Sequence, residues 1–277
     1  MSSEPVYWVD GKQSSALPLP DRGLEFGDGL FETMLYRRGS IAFVEYHLQR
    51  LAQGLESLRF PDCISFVTTC LNTTLETLAE HSSGSVRLTV TRGQGPRGYA
   101  PPLDCRPRIV ISFNPGEYDL ARLPGPATTD VCTVRWSNNI ALAGLKHLNR
   151  LEQVMASQER MVAGLDEMLM LDQRERVIST ISGNLYGVFD GEIHTPVIDS
   201  AGIRGTRREL LIKRWSRALG LNVIERDIDL PSLMCASELF YSNSLVGLRP
   251  IISVGERTWS SHPVCQALYS IYCGELR

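Results

Sequence analysis

Apolar and polar positions alternate with period two in many short runs and with a helical period in a few longer ones. Val6-Tyr7-Trp8-Val9 runs into Asp10-Gly11, which predicts a strand entering a hairpin turn. The glycine-rich stretch Asp21-Arg22-Gly23-Leu24-Glu25-Phe26-Gly27-Asp28-Gly29 leads into a strand over 31–36. From Val44 an amphipathic pattern predicts a helix to about Leu58, and a second helix spans roughly 63–80. Strands over 85–91 and 108–113 complete the first half, joined by Arg92-Gly93-Gln94-Gly95-Pro96-Arg97-Gly98-Tyr99. Residues 114–129 carry prolines and glycines with little periodicity and read as a connector between domains.

The second half opens with a strand over 131–136 and a helix that ends near Val162, then a run of strands from 167 to 194 turning at Asp172-Gln173 and Asp190-Gly191. Residues 202–219 look like a loop opening a helix, with Thr206 as its expected N-cap. A strand over 221–226 precedes Asp229-Leu230-Pro231-Ser232, where proline suits the first helical turn. A strand over 238–243 and a helix over 263–273 close the chain. The expected class is α/β, with a smaller α+β domain over 1–116 and a larger α/β domain over 117–277.

Composition narrows the function classes. The chain has 277 residues, enough to bury a large core, and a hydrophobic content of 43%. Its net charge of −3 gives no reason to expect nucleic acid or a membrane surface as partner. No apolar run approaches the ~18 residues that span a bilayer. The start of the chain lacks a basic and then apolar leader, so a cytoplasmic protein is expected. Seven scattered cysteines without a Cys-x-x-Cys pair fit reduced thiols and no metal site.

Several stretches carry chemistry. Lys146 stands between the small-residue run Ala141-Leu142-Ala143-Gly144 and the amphipathic stretch that starts at Leu151. An amine beside apolar surface loses hydration, which favours the neutral nucleophile able to form a Schiff base. Gly202-Ile203-Arg204-Gly205-Thr206 looks like a phosphate cup, because glycines admit close approach and a following helix offers free N–H groups. Tyr241-Ser242-Asn243-Ser244 ends a strand, where ligands gather in α/β proteins. Arg50 is a second candidate phosphate clamp, and the glycine-rich loop bearing Arg92 and Arg97 suits a substrate carboxylate. No His-Glu-x-x-His, Gly-x-Ser-x-Gly, Walker or dinucleotide fingerprint occurs. Together these parts are the equipment of a pyridoxal-phosphate enzyme acting on a small anionic substrate.

The motifs Arg92-Gly93-x-Gly95-x-Arg97-Gly98-Tyr99, Lys146-His147-Leu148-Asn149-Arg150, Gly202-Ile203-Arg204-Gly205 and Ser242-Asn243-Ser244 carry a family resemblance. The chain resembles class IV aminotransferase-fold enzymes, of fold type IV and D-amino-acid-aminotransferase-like, and among them most closely the aminodeoxychorismate lyases. The resemblance implies pyridoxal 5'-phosphate between two domains, a homodimer, and p-aminobenzoate production for folate. A D-amino-acid or branched-chain transaminase, and a pyridoxal-phosphate-binding homologue with little catalysis, stay open as alternatives. The resemblance assigns Lys146 as Schiff-base lysine and proton shuttle, and Arg50, the Ile203 and Arg204 amides, Asn243 and Ser244 as cofactor ligands. Arg92, Arg97 and Thr33 are its substrate-binding candidates. One position departs from the family: Ser179 stands where a glutamate meets the ring nitrogen, five residues before Asn184-Leu185-Tyr186. A serine supports a cationic ring nitrogen poorly, so the resemblance with this departure implies a weaker electron sink, tolerable for elimination and costly for transamination.

Overall fold

A computed structural model describes residues 4–79 and 82–276, so the expected helix end at Glu80 lies outside the described residues. The chain forms two compact units. One runs up to Tyr118 and also takes Leu145–Asn149; the other holds Asp119–Gly144 and everything from Arg150 onward. A single cut near residue 116 therefore misses a five-residue return to the first unit, made by backbone hydrogen bonds that no periodicity announces.

The first unit contains β1 (Val6–Val9), β2 (Lys12–Gln13), α1 (Arg22–Phe26), β3 (Gly29–Arg37), β4 (Ser40–Ile41), α2 (Val44–Ser57), α3 (Ile64–Glu76), β5 (Ser83–Thr91) and β6 (Arg108–Pro115). Its antiparallel sheet has the order β2-β1-β6-β5-β3-β4. Alternation along β3 sends Leu30, Met34 and Tyr36 into a core with Leu51 and Leu55 of α2 and Val67 and Leu71 of α3. The opposite face of the sheet carries Phe31, Thr33, Arg87, Thr89 and Val110. α1 was not expected. The Asp21 carboxylate caps it by accepting from Gly23 N, and Gly27 ends it in the left-handed region at φ 64°.

The second unit contains β7 (Ala127–Trp136), α4 (Leu151–Ala163), β8 (Glu167–Asp172), β9 (Val177–Thr180), β10 (Asn184–Phe189), β11 (Glu192–Pro196), α5 (Thr206–Leu210), α6 (Ser216–Ala218), β12 (Val223–Arg226), α7 (Leu230–Met234), β13 (Glu238–Asn243), β14 (Gly247–Val254), β15 (Arg257–Thr258) and α8 (Pro263–Glu275). A π-helical turn, Leu211–Trp215, joins α5 to α6. The sheet runs β12-β11-β10-β13-β14-β7-β8-β9, with β15 on β14. It is mixed, since β7 lies parallel to β8 and β14, and β11 parallel to β12, while the other neighbours are antiparallel. β7 starts at Ala127, inside the expected connector, and β14 was missed because Pro250 interrupts a run that otherwise reads as strand. The N-cap before α5 is Gly205 and not Thr206, which is already helical. All seven cysteines are free thiols. Among the described residues no helix is long and apolar enough to cross a membrane.

Candidate active site

Lys146 belongs to the first unit. Phe31 N donates to the Lys146 carbonyl at 2.9 Å and Leu148 N to the Gly29 carbonyl at 3.0 Å, so residues 146–148 lie as a short edge on β3. This fixes the lysine's backbone, and its Nζ sits 4.2 Å from the centroid of the Phe31 ring. The same ring carries the Arg87 guanidinium at 3.9 Å. Arg87 is exposed, and it pairs across the strands with Thr33. An amine, an arginine and a threonine hydroxyl thus share one sheet face, built by alternation on β3 and β5.

The neighbouring residue on β3 points into the core. Glu32 is buried, and its carboxylate accepts from His47 Nδ1 at 2.6 Å, from Arg50 Nε at 2.8 Å and from Arg50 Nη2. Burial raises the Glu32 pKa, but the Arg50 charge and the His47 hydrogen bond outweigh it and bring it down to about 2. His47 and Arg50 stand three apart on α2, on one helix face. That spacing with an acidic residue on a preceding strand is a sequence signal for the trio.

The two glycine-loop arginines divide. Arg92 is buried, with Nε on Asp28 at 2.8 Å, Nη2 and Nη1 on the carbonyls of Leu58 and Arg59, and its plane over Phe60. Three of its N–H donors and its plane are committed to the fold, so the structure gives Arg92 an anchoring place where a substrate carboxylate contact was expected. Arg97 is exposed. The loop is anchored by Arg22, which donates to the carbonyls of Gly98, Tyr99 and Ala100 and to Asp28.

In the second unit the free first-turn amides lie later in the chain than the expected cup residues Ile203 and Arg204. Arg204 N donates to the Gly144 carbonyl at 3.1 Å, and Gly144 N to the Gly202 carbonyl at 2.9 Å, so the Arg204 amide is committed to the chain. Ile203 lies in the same bridge, with its carbonyl held by Asn184 Nδ2 at 2.8 Å. The helix itself begins at Thr206, with Glu209 N the first amide bonded back to Gly205 O. The amides of Thr206, Arg207 and Arg208 are therefore the first-turn donors, and Gly205 supplies no side-chain cap. A Cβ on Gly205 would meet Asn184 Oδ1 at 2.0 Å, so only glycine lets the helix start lie this close. Arg207 is buried and donates to the Ser244 carbonyl at 3.1 Å, tying that turn to α5. Asn243, an expected cofactor ligand, caps its own turn: its Oδ1 accepts from the amides of Leu245 and Val246. Ser179, on β9, is buried and accepts a hydrogen bond from Trp136 Nε1 at 3.0 Å.

The family model for amino-transferase class IV matches residues 29–254, from the first residue of β3 to the last of β14. The chain belongs to that family. It is 30% identical to the aminodeoxychorismate lyase of Vibrio harveyi, over 90% of this chain and 91% of that protein. The crystal structure of 4-amino-4-deoxychorismate lyase from Pseudomonas aeruginosa superposes with a TM-score of 0.91 at 36% identity, covering 98% and 99% of the two chains. A D-alanine aminotransferase of Bacillus licheniformis is 24% identical over 90% of this chain and 87% of its own. As a class IV aminotransferase-family member of mixed α/β architecture, the chain has the expected fold class.

Sequence reasoning missed Arg87, Glu32, His47, Arg207 and Trp136. Arg87 had a signal, because odd positions of β5 share the face of Phe31 and Thr33. Arg207 and Trp136 had none, since each acts through partners far away in sequence.

Proposed function

We propose that this class IV family member is a pyridoxal-phosphate lyase that converts 4-amino-4-deoxychorismate to p-aminobenzoate and pyruvate, serving folate synthesis in the cytoplasm. The supporting observation is the Lys146–Phe31–Arg87 array, an amine and a cation seated on one ring beside Thr33. The names of the Vibrio and Pseudomonas relatives point the same way.

The residues fit the cofactor. A helix start with first-turn amides, no side-chain cap and an obligatory glycine suits a phosphate dianion. Arg207 holds the Ser244 turn to that helix start, and in the first unit Arg50, locked on Glu32, offers a fixed positive charge to an anion. Ile203 backs the cup through its carbonyl bond to Asn184. When bound, pyridoxal phosphate supplies the electron sink that makes loss of a proton from the amine-bearing carbon accessible.

The chain's residues do the rest. Lys146 Nζ removes that proton and delivers one to the departing three-carbon fragment, while Phe31 keeps the amine beside the reacting carbon. Arg87, with Thr33 beside it, holds a substrate carboxylate; its planar fork suits bidentate pairing. Arg97, exposed on the loop anchored by Arg22, is the second carboxylate candidate. Ser179 in place of a carboxylate favours elimination over transamination, because only the latter needs a strongly stabilised carbanion. The test is product balance: p-aminobenzoate and pyruvate should appear in equal amounts, and amination of 2-oxo acids should be far slower. Transaminase turnover rivalling product release would overturn the lyase reading.

The working unit is proposed to be a homodimer built on α4. Its polar side faces inward: Glu152 accepts from Ser137 N, and Glu159 from Thr133 N and Val134 N. Its apolar side faces out, with Leu151 76%, Val154 51%, Met155 53%, Met161 71% and Val162 92% exposed. Such a stripe amounts to a large share of the ~800 Å² that each partner buries in a standard interface. It carries no charge, so two copies related by a twofold axis bring no like charges together.

A further inference from the structure

We propose that Trp136 holds Ser179 as a hydrogen-bond donor to an unprotonated ring nitrogen of the cofactor, so that this chain works with a neutral pyridine. The inference rests on the pyridoxal-phosphate reading above.

Ser179 is 4% exposed, and its Oγ accepts the Trp136 indole N–H at 3.0 Å. An indole N–H can only donate, so the direction of that bond is not in doubt. It uses one lone pair of the hydroxyl and leaves the hydroxyl proton to be donated elsewhere. Among the described residues no acceptor takes that proton. A buried donor without an acceptor costs about 1–3 kcal/mol, so the site asks for an acceptor from the ligand.

A neutral pyridine nitrogen is such an acceptor, and every group is then satisfied: indole to hydroxyl, hydroxyl to ring. A pyridinium reverses this. Its N–H and the indole N–H would both point at one oxygen, the hydroxyl proton would stay orphaned, and a buried cation would meet a neutral hydroxyl in place of an ion-pair partner. The charged groups on the packed elements agree. The Arg150 guanidinium stacks 5.4 Å from the Trp136 ring, placing positive charge beside the pair. Glu167 on β8 is bonded to the Ser182 hydroxyl. Asp172, at the end of β8, is held by Arg176 and Asn138. Glu152 and Glu159 of α4 accept the backbone amides of Ser137, Thr133 and Val134. None of these carboxylates is bonded to Ser179, while the Arg150 guanidinium lies against the ring of its hydrogen-bond partner Trp136, which disfavours a cation beside the pair. Trp136 is then a positioning residue. By occupying the acceptor side of the hydroxyl, it sets which way Ser179 points its proton.

The test loads the protein with pyridoxal phosphate labelled at its ring nitrogen and reads that nitrogen by NMR across mildly acid to mildly alkaline pH, without turnover. Wild type should give a neutral-pyridine resonance throughout. Ser179→Glu should give a pyridinium resonance, and Ser179→Thr should keep the wild-type one. Trp136→Phe frees the acceptor side of the hydroxyl and should raise the pH at which the nitrogen titrates. A pyridinium resonance in wild type overturns the proposal; an unchanged titration in Trp136→Phe overturns the positioning role. Borohydride reduction and digestion of the same sample report on the parent reading. If no cofactor is attached at Lys146, the pyridoxal-phosphate reading has failed and this proposal fails with it, whereas a Lys146 adduct with a pyridinium nitrogen sinks the proposal alone.

Discussion

Arg50 meets Glu32 through two nitrogens at once, Nε at 2.8 Å and Nη2, inside a carboxylate site that is 1% exposed. A bidentate, buried contact of this kind fixes the guanidinium plane and leaves it little freedom to follow a ligand. Any anion that Arg50 serves is met by a preorganised charge. Removing the carboxylate's charge should therefore hurt ligand binding as well as the fold. Glu32→Gln is expected to weaken pyridoxal-phosphate uptake by about tenfold or more, the scale of one charge-assisted hydrogen bond. Spectrophotometric titration of the apo protein checks this.

The same carboxylate predicts an acid limb. Its folded pKa is depressed from 4.5 to about 2, so its contribution to stability is complete above the unfolded value. That contribution is lost as pH falls from about 4.5 towards about 2, where the folded carboxylate also takes up its proton. Urea melts over that range should show wild type losing stability more steeply than Glu32→Gln.

Arg87 and Arg92 should separate cleanly. Arg87→Ala is expected to lower kcat/KM by about ten- to a hundredfold with little change in melting temperature, since Arg87 is exposed and poised over Phe31. Arg92→Ala removes donors to Asp28 and two carbonyls, and should lower the melting temperature instead. Steady-state kinetics paired with thermal melts distinguishes the two outcomes.

Gly205→Ala tests the phosphate site proposed at the start of α5. Its backbone lies at φ −71°, so alanine is not strained there; the cost is the 2.0 Å approach to Asn184 Oδ1. Moving Asn184 also disturbs its bond to Ile203 O. The variant should fold with a loss of about 1–3 kcal/mol and bind inorganic phosphate and pyridoxal phosphate more weakly. Calorimetric titration with each ligand is the check.

These sites show what the chain's pattern made legible. Alternation on β3 and β5 and the helical period of α2 are local properties, so they were readable, as was the proline in the first turn of α7. The lysine and the glycine cup stood out because their chemistry needs particular residue types at close spacing. What escaped was set by long-range partners. Arg92 was expected at a substrate because its carbonyl acceptors, on Leu58 and Arg59, lie far back in the chain. That the Arg204 amide is engaged was not legible, because its acceptor, the Gly144 carbonyl, lies far away in sequence.

The inverted polarity of α4 predicts assembly. Met155→Glu, on its exposed apolar side, should convert dimer to monomer, while Gln158→Glu on the same side should weaken it less. Light scattering of the eluted protein reads the mass directly. A wild-type monomer at micromolar concentration contradicts the assembly.

The most direct measurement of the central claim is release of p-aminobenzoate and pyruvate from 4-amino-4-deoxychorismate by wild type and by Lys146→Ala. Equal release of both products by wild type, falling by at least about a thousandfold in the variant while its fold and phosphate binding persist, is the predicted result. Product release that survives loss of Lys146, or none from a wild type carrying its cofactor, would contradict it.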